Sequence, residues 1–179
     1  MRCKLKINRK GFTLIELLIV IALLGALAVG LLATVDPFEQ LKKGTDTSRR
    51  NTTTEVYNAS IRYYATKSAF PWATDVSALP MSDVNMTSSP NGYVNQIISA
   101  GELKPEFIEL AGSSNLSKIF LTSTADVNGV RQNISVCFLP ESKSFRNDPN
   151  AQFSTDGIQL LNGCVSQTAG GSACFWCIK

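Results

Sequence analysis

Five cysteines and no histidine set the limits of the chemistry that this 179-residue chain carries. Without histidine there is no Ser-His-Asp or Cys-His nucleophile, and no His-ligated zinc. Cys174-Phe175-Trp176-Cys177 has the C-x-x-C spacing of thiol-disulfide exchange. That chemistry needs a helix N-terminus to lower a thiol pKa, and no strand-then-helix pattern follows the motif. On a strand, residues three apart face opposite ways, so Cys174 and Cys177 are expected to reach other partners. The expectation is two disulfides, Cys164 with Cys174 and Cys137 with Cys177; three pairings are possible and the sequence does not choose between them. Cys3 stands apart from these four.

The other residue placed for chemistry is Glu16. It is the only charged side chain in the run from Phe12 to Val35, FTLIELLIVIALLGALAVGLLATV. About 20 apolar residues in a helix cross the hydrocarbon core of a bilayer, so this run is long enough to span one. A carboxylate costs roughly 2.5 to 3.5 kcal/mol at mid-bilayer and less near the interface. It therefore asks for a partner, or snorkels to the head groups. Gly25, Ala26, Ala28, Gly30 and Ala33 give the run small positions, which let helices approach closely in lipid. Gly25 and Gly30 also weaken the helix locally.

Ahead of the run stands MRCKLKINRK, with five basic residues and no acid. Basic residues beside a first span stay in the cytoplasm, which puts everything after Val35 on the far side, where oxidising conditions favour disulfides. The chain holds 17 basic and 14 acidic residues, and its basic excess lies in this leader. Charge thus offers no direct evidence for a nucleic-acid partner.

A secretory signal would carry a small-residue cleavage site after the apolar run, but Thr34-Val35-Asp36-Pro37-Phe38 has no A-x-A pattern. At the other end lies Lys10-Gly11-Phe12-Thr13-Leu14-Ile15-Glu16. This string, with its basic leader and the span behind it, resembles the junction of type IV prepilins and type II secretion pseudopilins. The resemblance implies cleavage between Gly11 and Phe12 by a prepilin peptidase, N-methylation of Phe12, and retention of the apolar helix. It also implies that Glu16 pairs with the new Phe12 amine of a neighbouring subunit and sets the axial register. Many type IV pilins carry a helix-breaking proline in this span; here none precedes Pro37, so local flexibility falls to Gly25 and Gly30.

These residues need elements to position them. From Glu39 to Lys67, Leu41, Thr45, Ser48, Thr52, Val56, Ala59, Tyr63 and Thr66 recur at helical spacing. A helix from Phe12 to Lys67 would be about 84 Å long, with Asp36-Pro37 a place for a kink. Ala69-Phe70-Pro71-Trp72 stops it. A Ser-, Thr-, Pro- and Asn-rich connection from Thr74 to Gly92 and a short helix over Tyr93 to Leu103 follow. Lys118 to Thr122 and Asn133 to Leu139 flank the turn signal Asp126-Val127-Asn128-Gly129, and Ile158 to Val165 and Cys174 to Ile178 read as two further strands.

The fold expected is α+β and type IV pilin-like: a long N-terminal α-helix packed on a small antiparallel β-sheet of about four strands. Its segments are the leader at 1–11, the membrane and filament-core helix at 12–35, the exported half of the helix at 36–67, and a β-rich head with a disulfide region at 68–179. The resemblance implies a structural subunit with no enzyme activity and no cofactor. Its partners would be copies of itself and other pilins, the prepilin peptidase, and an assembly platform in the membrane. It implies a single-pass precursor in the inner membrane with its C-terminus outside, then an extracellular or periplasmic filament. A pseudopilin of a type II secretion system is the alternative within the family. A membrane-anchored thiol oxidoreductase using Cys174 and Cys177 is the alternative outside it. Asp148, Asn150, Asp156 and Gly157 loosely resemble the calcium loop of some pseudopilins; Asp148 and Asp156 are weak candidates, since calcium takes six to eight oxygens and solvated turns explain so few acids as well.

Overall fold

The computed structural model describes residues 11–34, 36–72, 75–88, 91–125, 131–158 and 174–179. The leader up to Lys10, the Asp126 to Gly129 turn, Cys164 and all of the expected Ile158 to Val165 strand except Ile158 lie outside them.

Helix α1 runs Leu14–Thr34 and α2 runs Pro37–Lys67. The helical stretch resumes at Pro37 for a local reason. Proline lacks the N–H that an interior position needs but suits a first turn, and the Asp36 carboxylate accepts from Phe38 N–H at 3.1 Å, as an N-cap does. Helix α2 is rich in threonine, a modest helix former. Thr45, Thr47, Thr52 and Thr54 each donate their hydroxyl to the carbonyl four residues back, which keeps those hydroxyls from competing elsewhere. Ser68, at φ 56°, closes the helix, its N–H bonding to Tyr64 O at 2.7 Å. The chain divides into two compact units, Met1–Phe38 and Glu39–Lys179. Nearly all of α2 therefore belongs with the sheet.

Beyond α2 come β1 (Val76–Pro80), four short helices, α3 (Val84–Thr87), α4 (Tyr93–Ser99), α5 (Phe107–Ala111) and α6 (Ser113–Leu116), then β2 (Ile119–Ala125), β3 (Arg131–Phe138), α7 (Lys143–Arg146), β4 (Ala151–Phe153) and β5 (Phe175–Ile178). The described strands form one antiparallel sheet in the order β1-β2-β3-β5-β4. Five strands stand where about four were expected. The additions are edge strands: β1, inside the stretch read as a loop, and β4, three residues long, which leaves too little alternation to detect. The last strand in sequence, β5, pairs between β3 and β4.

The two sheet faces differ. Ile119, Leu121, Ile134, Val136, Phe138 and Trp176 pack with Val56 and Ala59 of α2 in the main core. The other face carries a small cluster of Cys137, Phe175 and Cys177, with Phe120 and Phe153 against it. An aromatic row caps the end of α2, with Tyr64 to Phe70 at 4.8 Å and Phe70 stacked on Trp72 at 4.9 Å between centroids.

The buried stripe of α2 keeps Val56 and Ala59 from the series at helical spacing and otherwise departs from it. It is Asp46, Arg49, Thr53, Val56, Ala59 and Ser60, whereas Leu41 of that series is 70% exposed. Charged residues enter the core because they pair there. Asp46 accepts from Glu141 N–H at 3.0 Å and from Ser142 N–H and Oγ at 2.7 Å each. Arg49 bonds Glu141 at 2.9 Å. A buried carboxylate so supplied with donors need not find an apolar partner.

Candidate functional site

The N-terminal junction is built on the first turn of α1. Gly11, Phe12 and Thr13 precede the helix, and Phe12 is 79% exposed. Thr13 caps the helix and Glu16 answers it. Thr13 N–H and Thr13 Oγ–H donate to Glu16 Oε2 at 2.9 and 2.7 Å, and Glu16 N–H donates to Thr13 Oγ at 3.3 Å. This reciprocal pattern is a capping box, and its Thr-x-x-Glu spacing is legible in the sequence. The carboxylate beside Phe12 is thereby oriented at the helix start, one turn from the residue that cleavage would make the N-terminus.

Below this turn α1 presents apolar side chains all round. Leu14–Leu32 is long and apolar enough to cross a membrane. Its 19 residues rise about 28 Å, matching a hydrocarbon core of roughly 30 Å. Every large apolar side chain from Leu14 to Leu32 is at least 45% exposed. Helix α1 is regular through Gly25 and Gly30, and a Cβ at either would meet nothing within 4 Å. These are shallow points on a surface otherwise crowded with leucine, isoleucine and valine.

The cysteines lie in the head. Cys137 of β3 and Cys177 of β5 are direct cross-strand neighbours, joined as a disulfide with Cα atoms 4.2 Å apart. Both are buried. Cys174, 2% exposed, is also disulfide-bonded, and Cys164 lies outside the described residues. Cys177 is held by Cys137 on the neighbouring strand, so Cys174 and Cys177 are not bonded to each other here.

Over the Cys137–Cys177 disulfide lies the turn at Gly157. Ser135 Oγ donates to Asp156 O at 2.8 Å, and a Cβ on Gly157 would stand 2.7 Å from Ser135 Oγ and 3.0 Å from Cys137 Sγ. At φ 70° this position also favours glycine for its backbone.

Asp148 and Asp156 serve separate turns. Asp148 accepts from Asn150 N–H at 2.8 Å, and Asp156 accepts from Ser154 Oγ and Ile158 N–H. The Ser154 hydroxyl, with the Ile158 amide behind it, holds the Asp156 carboxyl below its ordinary range. Among the described residues no group of three or more His, Cys, Asp or Glu side chains is placed to hold a metal.

The junction is also where the chain matches known proteins. Residues 6–32 match the family model of the prokaryotic N-terminal methylation motif. That motif corresponds to the class III signal peptide of type IV pilins and pseudopilins. Such a motif implies assembly with other pilins and with membrane-associated machinery. No curated protein and no solved structure matches the chain. Sequence reasoning found the junction but missed the Asp46–Arg49 cluster, whose signal was an (i, i+3) acid-base pair on a helix, a pattern that ordinarily marks a solvated face.

Proposed function

We propose that this protein is a structural subunit of a type IV pilus-like filament, cut after Gly11 and assembled by side-by-side packing of α1. The observation that carries the reading is the Thr13–Glu16 cap at the head of a helix whose apolar surface is uncovered. The bilayer covers that surface before assembly and neighbouring α1 helices cover it afterwards.

The basic leader keeps the N-terminus cytoplasmic and the head outside. A prepilin peptidase frees the Phe12 amine, which is then N-methylated. Glu16 already holds its carboxylate toward the helix start, and it exchanges the Thr13 donors for the Phe12 amine of an adjacent subunit. A subunit out of register leaves a charge unpaired in an apolar core, so the pair specifies alignment more than it adds stability. The work of the protein is mechanical, and it carries no active site of its own.

A type II secretion pseudopilin would share the junction and α1. The buried disulfide between β3 and β5 fits either, since periplasm and cell surface are both oxidising, and filament length separates the two. The test is electron microscopy of cells carrying the unchanged chain or Glu16→Ala. Long surface filaments containing the chain, lost in Glu16→Ala while membrane insertion continues, are the expected result. Normal filaments from Glu16→Ala would overturn the reading.

A further inference from the structure

Helix α2 buries one stripe on the sheet, and the two flanks beside that stripe carry opposite charge. Beside α5, Thr52 and Glu55 line a hollow of about 210 Å³ with Lys104, Phe107 and Leu110. Leu110 is 75% exposed, and Glu106 and Glu109 are exposed just before it. Glu55 and Lys104 thus share the hollow with an exposed leucine, and Glu106 and Glu109 are exposed on the segment that carries it.

Beside α7, Lys43 and Arg50 line a second hollow of about 260 Å³ with Phe145 and Asp148. Lys143 and Arg146 are on the same short helix as Phe145. Here Lys43 and Arg50 face one carboxylate. Lys43 and Arg50 are seven residues apart, two turns of one helix face, and the buried Arg49, Thr53 and Val56 run between them and Thr52. Arg50 is held in position, its guanidinium 5.4 Å from the centroid of the Trp176 ring. A charge fixed in this way loses little freedom when a partner arrives.

We propose that the two flanks are the halves of one contact between neighbouring copies of this chain. Leu110, with Glu106 and Glu109, seats in the Lys43–Arg50 hollow of the next copy, its side chain toward Phe145. A second copy is the occupant because one sequence supplies both signs of charge, with an exposed leucine on one flank and a hollow lined by Phe145 on the other. The halves are different surfaces, so the contact is heterologous, and its repetition builds an open array rather than a closed pair. The inference rests on the reading of the chain as a filament subunit and adds to it a head contact that the α1 junction does not provide.

The experiment is a charge swap in the full-length chain, read as the yield of filaments sheared from cells. Glu106→Lys with Glu109→Lys, and separately Lys43→Glu with Arg50→Glu, are each expected to lower the yield about tenfold, and all four together to return it to within about threefold of the unchanged chain. A damaged head cannot be repaired by two further substitutions on another element, so recovery reports the contact itself. Either pair leaving the yield unchanged overturns the contact, as does a fourfold variant no better than the pairs. If the unchanged chain makes filaments that depend on Glu16 while the swaps do nothing, this contact alone fails. If the unchanged chain makes none, the filament reading fails and takes the contact with it.

Discussion

Asp46 and Ser142 are 96 residues apart in sequence and bonded twice, Ser142 N–H and Ser142 Oγ each donating to Asp46 Oδ2 at 2.7 Å. The side chains of both are wholly or almost wholly buried. They tie the first turns of α2 to the segment that leaves β3, and Glu39 repeats the tie by accepting from Lys143 N–H at 3.0 Å.

Removing the carboxylate strands three donors, Glu141 N–H and Ser142 N–H and Oγ, and takes one of the two carboxylate partners from Arg49. Asp46→Ala is expected to cost about 3 to 5 kcal/mol of stability, in the range for breaking a buried pair. Ser142→Ala removes a single donor to a charged group and is expected to cost about 1.5 to 3 kcal/mol. Guanidinium unfolding of the full chain in detergent, followed by the fluorescence of Trp72 and Trp176, both buried, measures the two. Equal midpoints for Asp46→Ala and the unchanged chain would contradict the role given to this cluster.

Part of this architecture was legible in the sequence. Its membrane helix, its junction and the strands β2, β3 and β5 follow from apolar run length, one local string and alternation. The buried face of α2 was not, because its signal is inverted: Asp46 and Arg49 look like solvent-facing charges until Glu141 and Ser142, nearly 100 residues later, supply their partners. Strand β1 escaped for a related reason. It sits in a polar stretch with Ala78 at φ 47° and a register shift between Val76 and Leu79, so no clean alternation marks it.

The cross-strand disulfide closes a loop of 40 residues. Cys137→Ser is expected to cost about 4 kcal/mol by the chain-entropy model for that loop length, with Cys177→Ser equivalent to it. Thermal unfolding of oxidised and reduced protein checks this. A melting temperature that is the same in both would contradict it.

Acid should loosen the head before it affects α1. Hydrogen bonding from Lys118, with Arg49 beside it, holds the Glu141 carboxyl below its ordinary value of 4.5, and the Lys143 amide does the same for Glu39. Groups depressed in the folded state bind fewer protons there than when unfolded. Their contribution is therefore fully present above about pH 4.5 and is lost as pH falls through the folded values. Unfolding midpoints measured from pH 6 downward should decline below that point, and Glu141→Gln should flatten the decline. A Glu141→Gln profile parallel to the unchanged one would argue against this assignment.

Gly157→Ala tests the lid over the disulfide. The added Cβ meets Ser135 at a position with φ 70°, so a loss of about 1 to 3 kcal/mol is expected. Gly25→Ala and Gly30→Ala, whose Cβ atoms meet nothing, should leave the stability of the head unchanged and firm α1 by about 0.5 to 1 kcal/mol each.

Everything turns on where the mature chain begins and what remains attached. Terminal sequencing and intact mass of the exported protein should give Phe12 as the first residue, carrying one methyl group on its amine and the whole of α1 behind it. A first residue near Asp36, or a leader still in place on assembled protein, would contradict the account.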